Sequence, residues 1–293
     1  MKLPIQTLPV AMLFHAFAMV ISLHGQIATP GLEGIYVERF YELNEKDRSV
    51  QHLSGLVEEG ATTWRIFLDL EAGYRFQAAY GTSEHPLEIT SSSWIYNHNA
   101  YGNYCPNVIM EKFLHNDIAI LDSWFSSGAA TETQMAIPRL YDSEHAHEFI
   151  RFEKGFLEND MEDGTGMLAI RDGMTSSESI VFPTFYHMED AQKKLMSTSV
   201  AKTILIEDGA WAAMGKGAIG ADSLGRNHVL IAQITTSGAL ECKINVMIGT
   251  PDGKSIRYVY ANPLDSEQLH PALIFRSEPR KKKSDPQKKK SRK

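Results

Sequence analysis

Turn residues recur so often along this chain that long helices have no room to form. Trp64, Ile66, Leu68 and Leu70 fall on one side of a period-two run, with Arg65, Phe67 and Asp69 on the other. Residues 74–80 follow after Glu71-Ala72-Gly73, a three-residue connection containing Gly, so the two runs read as a hairpin. Residues 87–89 and 118–121 read as further strands. Near the C-terminus, residues 228–236, 240–249 and 256–261 read as a three-strand meander, turning at Ser237-Gly238-Ala239 and Thr250-Pro251-Asp252-Gly253. Only 108–114 and 188–196 have apolar spacing suited to a helix, and both are short. Strands without intervening helices predict an all-β fold: an antiparallel β-sandwich of jelly-roll or Ig-like type with a few short helices, and not a doubly wound α/β fold. At 43% hydrophobic and 22% charged, the 293 residues can bury such a core, which excludes collagen-like and wholly disordered classes.

The two ends point to the compartment. Lys2 precedes an apolar stretch, residues 8–23, that lacks Asp, Glu, Lys and Arg, and Gly25 supplies a small residue for cleavage. The stretch falls short of the roughly 20 apolar residues of a spanning helix. Residues 1–25 therefore read as a signal peptide, 26–275 as one β-domain and 276–293 as a disordered Lys/Arg-rich tail, with no transmembrane helix left after cleavage. The expected location is secreted or cell surface, with the periplasm as the alternative. Cys105 and Cys242 can pair in an oxidising compartment, although Cys242 shares an apolar strand face with Leu240, Ile244 and Val246 and reads more simply as a buried thiol.

Charge divides the chain. Residues 280–293 hold nine Lys/Arg and one Asp, a net of +8, so the formal −7 of the whole leaves −15 on residues 1–279. Lys281, Lys282, Lys283, Lys288, Lys289 and Lys290 give the tail a salt-dependent attraction to anionic envelope or matrix polymer, without specific nucleic-acid recognition. Residues 142–180 are acidic and turn-rich and read as a loop-rich insertion.

Several motifs fail on their surroundings. Gly215-Lys216-Gly217-Ala218-Ile219-Gly220 has the letters of a dinucleotide fingerprint, but strand-like residues 228–236 stand where its helix and crossover belong. Ala221-Asp222-Ser223-Leu224-Gly225 resembles a nucleophile elbow, yet the helix after Ser223 is missing. His145 and His147 share one side of a strand beside Glu148, a start for a transition-metal site that lacks further ligands. The acidic run 158–163 can offer oxygen ligands to calcium but does not fit an EF-hand loop. The expected cofactor is none, with calcium or a transition metal as the open alternative. The best candidate ligand surface is aromatic: Trp94 and Tyr96 on one strand face, with Asn97, Tyr101 and Tyr104 beyond, rings and amides suited to a glycan or a surface protein.

The stretches 63–70, 73–81, 85–87, Leu121-Asp122-Ser123-Trp124, Gly209-Ala210-Trp211 and 229–236 resemble an uncharacterised family of exported Gram-negative bacterial β-domain proteins, over about residues 61–262. The resemblance implies a secreted or cell-surface β protein and carries no catalytic residue. Its members often continue into a C-terminal sorting domain, where this chain has its basic tail.

Two function classes follow. The first is an exported, non-catalytic binding or structural protein of the cell surface or matrix, with the aromatic loop for its ligand and the tail for polyanion attachment. The alternative is a secreted hydrolase or metal-dependent enzyme built on the His145/His147 region or on Ser223.

Overall fold

The computed structural model describes residues 30–43, 60–97, 102–110, 121–139, 150–153, 156–159, 173–196, 201–221 and 225–277. Among them are eighteen strands: β1 (Leu32–Glu42), β2 (Thr62–Leu70), β3 (Arg75–Gly81), β4 (Leu87–Ile95), β5 (Trp124–Phe125), β6 (Gln134–Ala136), β7 (Ile150–Glu153), β8 (Phe156–Asn159), β9 (Met174–Ser176), β10 (Pro183–Tyr186), β11 (Ala201–Ile206), β12 (Gly209–Ala213), β13 (Asn227–Thr236), β14 (Leu240–Lys243), β15 (Asn245–Gly249), β16 (Ser255–Val259), β17 (Glu267–Leu269) and β18 (Ile274–Arg276). One α-helix joins them, α1 (Glu189–Lys194), with Glu189 and Asp190 in its first turn and Lys193 and Lys194 in its last, the order that its dipole favours. Among the described residues no helix is long and apolar enough to cross a membrane.

The fold is mostly β, with predominantly antiparallel pairing; β1–β8 and β16–β17 are parallel. A ten-stranded sheet curls into a nearly closed, barrel-like form in the order β18-β14-β4-β13-β2-β1-β8-β7, with β11 on β4 and β5 on β13. A six-stranded sheet runs β10-β12-β3-β15-β16-β17. The two are joined by strands that pass from one to the other. The run β3–β4 pairs on one flank with β12 and β11, and on the other with β15 and β14.

Two local expectations are corrected by this topology. The turn at 71–73 does not close a hairpin: β2 pairs with β1 and β13 in the large sheet, whereas β3 enters the small one. Asn227 holds that corner, donating from Nδ2 to Glu71 O at 3.1 Å and to Tyr74 O at 2.8 Å. Nor does 237–239 reverse the chain. Thr236 pairs with Ile95, and Leu240–Lys243 pairs with Ser91–Glu88, so 236–243 runs along β4 with a bend in it. Gly238 is needed at the bend because a Cβ there would stand 2.3 Å from Ser93 N. The expected turn before 256 is present, as β15 and β16 pair directly. The acidic segment 142–180 supplies β7, β8 and β9.

Both sheets contribute to the main apolar core. Trp64, Ile66, Leu68 and Leu70 face it, and Trp211 stacks on Phe125 at 4.2 Å while its Nε1 donates to Ile231 O. The opposite face of β1, β2 and β13 is buried too. Phe40, Phe67 and Leu230 meet Leu121, Trp124, Ala136 and Met174 in a second cluster. Burial on both faces favours strong protection of these central strands among the described residues.

Candidate functional site

Three strands deliver titratable side chains to one end of that doubly covered region. In β1 the register with β2 jumps from Leu32↔Leu70 to Gly34↔Asp69, a bulge that leaves Glu33 opposite no residue. A bulge re-aims the side chain it carries, and here Glu33 joins Asp69 on the lining of one cleft. Asp69 in turn stands directly opposite His228, with Nε2 to Oδ1 at 3.4 Å. The His228 side chain is only 4% exposed, and its ring lies 5.4 Å from that of Tyr36 at 51°. Glu71, Arg226 and Asn227 complete the lining of an open cleft of about 370 Å³.

Its electrostatics are those of crowded carboxylates. The Asp69 charge, then burial, then Glu71 hold the Glu33 carboxyl above its ordinary range, and His228 opposes the shift. The floor is stiff, because Asn227 binds Glu71 O and Tyr74 O and accepts from Gly220 N at 2.8 Å. A wall so rich in acceptors suits a ligand that brings hydrogen-bond donors or positive charge. No family model matches the chain. No curated protein and no solved structure matches it either.

The aromatic surface expected from the sequence does not assemble as expected. Trp94 is 48% exposed, with Lys202 Nζ 4.5 Å from its ring centroid. Tyr96 is buried in the second cluster, where desolvation and Asp122 push its phenol up. The two do not share a face, because β4 ends at Ile95 and the alternation stops there. Asn97 is half-buried and donates to Lys194 O at 3.2 Å, while Tyr104 packs edge-on against Phe185 at 5.0 Å. Tyr101, His145, His147, Glu148, Ser223 and the tail lysines Lys281, Lys282, Lys283, Lys288, Lys289 and Lys290 lie outside the described residues. Among the described residues no three His, Cys, Asp or Glu side chains are grouped to hold a metal ion.

Cys105 and Cys242 are separate buried thiols and form no bridge. Burial raises Cys105 to about 11 and pushes Cys242 further up, so neither is a reactive thiolate at neutral pH. Of the fingerprint-like glycines, Gly217 sits at φ +83 where a Cβ would meet Phe76 O at 2.6 Å. Ala218 and Phe76 exchange backbone hydrogen bonds there, so this loop is spent on strand contact rather than on a phosphate.

Proposed function

We propose that the chain is an exported, non-catalytic binding protein of the bacterial cell surface or matrix, and that the Glu33–Asp69–Glu71 cleft takes a donor-rich or cationic group of a glycan or surface protein. In this reading residues 1–25 are a signal peptide, 26–275 form a sandwich-type body, and the basic tail attaches to anionic polymer. The observation that carries it is the convergence of three carboxylates and His228 on one open cleft, set by a bulge and a cross-strand pair. Like charges crowded together oppose folding, so their presence at one rim supports a binding role for it. Exposed Trp94 offers a second, smaller contact.

The test is binding to isolated envelope across a salt series, using full-length protein, a form lacking residues 280–293, and that form with Asp69→Asn or Trp94→Ala. Tail deletion is expected to remove the steeply salt-dependent component. The remaining binding is expected to fall about tenfold with Asp69→Asn, the loss of one charge-assisted hydrogen bond. Residual binding that survives Asp69→Asn but disappears with Trp94→Ala would move the ligand to the exposed sheet face. Turnover of an envelope polymer by the truncated body would overturn the non-catalytic reading.

A further inference from the structure

We propose that Trp94 and Lys202 form a platform for a carboxylated sugar, whose apolar ring face lies on the indole while its carboxylate meets the ammonium. This gives a ligand class to the Trp94 contact of the proposed binding function, on which it rests, and it is separate from the carboxylate cleft. Trp94 stands beside the Ile95↔Thr236 pair where β13 ends, whereas Asn227 and His228 line the cleft where β13 begins. The ten residues of that strand put roughly 30 Å between the two. The local geometry displays the ring. β11 pairs with β4 as Ala201↔Ile95 and next as Thr203↔Thr90, so four residues, Ser91 to Trp94, stand opposite Lys202 alone. A bulge of this kind re-aims the side chains it carries. Trp94 is left exposed, whereas Trp64, Trp124 and Trp211 are buried, and Lys202 Nζ stands over its ring at 4.5 Å from the centroid. Hydroxyl bonds brace the bulge from behind: Ser91 Oγ meets Thr236 Oγ1 at 2.6 Å, and Ser237 Oγ donates to Ser93 Oγ at 2.9 Å.

Charge selects the ligand. The body of the chain is acidic, yet no Asp or Glu occurs in residues 89–110, 195–206 or 229–240, the segments that meet at this bulge. On the neighbouring strands β14 and β18 the cations are neutralised, Lys243 by Glu88 at 2.8 Å and Arg276 by Glu241 at 3.0 Å. Lys202 makes no ion pair among the described residues. An ammonium without a counter-charge, set on an exposed indole, draws an anion that also has a flat face to stack. Exposed Ser92, two residues before Trp94 on the same side of β4, adds a hydroxyl to the rim. A sugar acid matches all three groups, with an apolar ring face, hydroxyls and a carboxylate. An acidic peptide offers the charge but not a ring face edged with hydroxyls.

The experiment titrates the full chain with trigalacturonate and follows acrylamide quenching of tryptophan fluorescence. Trp94 is the tryptophan that acrylamide reaches, so anion capture by the basic tail leaves the signal unchanged. Saturable protection from quenching is expected, about fivefold weaker for the carboxyl-reduced, neutral trisaccharide, the difference one exposed ionic contact makes. Lys202→Met is expected to keep the protection and erase that difference, and Trp94→Ala to abolish binding in calorimetry. Asp69→Asn is expected to change neither. No protection, equal protection by triglutamate, or an acid preference that survives Lys202→Met overturns the platform. Absence of protection together with Asp69-dependent envelope binding overturns the platform and leaves the cleft, whereas protection with envelope binding indifferent to Asp69 supports the platform and overturns the cleft.

Discussion

Replacing Glu267 by Ala is expected to cost about 1–3 kcal/mol of stability, seen as a drop of about 5 °C in Tm at pH 7. Glu267 sits on the short edge strand β17, yet its side chain is only 5% exposed. Its Oε2 lies 2.8 Å from His85 Nε2, on a side chain 4% exposed, and accepts from Leu264 N at 2.9 Å. Nearby, burial and the Glu267 carboxylate push the Tyr80 phenol far up. Asn245 closes the same corner, donating to His85 O at 2.8 Å and Tyr80 O at 3.1 Å. Truncation leaves His85 Nε2 buried without this partner, about 1–3 kcal/mol, whereas the exposed Leu264 N–H turns to water. Glu267→Gln keeps the volume and one acceptor, so it should lose less than half as much. A loss under about 1 kcal/mol for the Ala variant in thermal or denaturant unfolding would mean that water replaces the carboxylate.

Strand positions were legible in the sequence because period two survives in Trp64-Ile66-Leu68-Leu70, all of which face the main core. Partner choice was not. The pairing of β3–β4 with β11–β12 and β14–β15 joins segments more than 100 residues apart, and nothing local encodes it. Local turn chemistry even misleads here. Gly73 and Gly238 both mark places where the chain bends, but the bend after β2 sends it to another sheet, and Gly238 serves close approach to β4. Period two also hid the second layer. Arg65 and Asp69 fall on the alternate face, where Arg65 is fully buried and Asp69 rims the cleft.

The cleft left a fainter trace. Asp69 and His228 become neighbours only through the β2–β13 register, and Glu33 joins them only through the bulge. The one signal available was that Glu33, Asp69 and Glu71 all stand at strand ends beside turns, where charge is common and seldom functional. Aromatic residues drew attention instead, yet Tyr96 fills the second core, as an amphipathic ring often does.

Arg65→Ala is expected to cost about 3–5 kcal/mol, and to do so by releasing the outer layer rather than the barrel-like sheet. The Arg65 guanidinium donates from Nε to Gln233 Oε1 at 2.9 Å and from Nη1 to Gly173 O at 3.0 Å, and stands 3.4 Å over the Phe40 ring. It thereby connects β2 with β13, β1 and the residues leading into β9. Gln233 passes the link on, donating from Nε2 to Asp122 O at 2.8 Å. Beside it Arg139 binds Phe40 O at 3.0 Å, and its backbone N–H binds Glu38 Oε1 at 2.8 Å. Removing Arg65 opens a cavity and takes the donor from two buried oxygens, Gln233 Oε1 and Gly173 O. The inner face is untouched, because Trp64, Ile66 and Leu68 point the other way. Limited proteolysis should therefore cut within residues 121–139 and 173–176 first, while far-UV dichroism keeps its β signature. Arg65→Lys keeps the charge but cannot fork to both oxygens, and should fall between the natural protein and Arg65→Ala. Simultaneous loss of both layers in Arg65→Ala would instead mean that the two faces fold as one cooperative unit, with the second core as necessary to the sheet as the first.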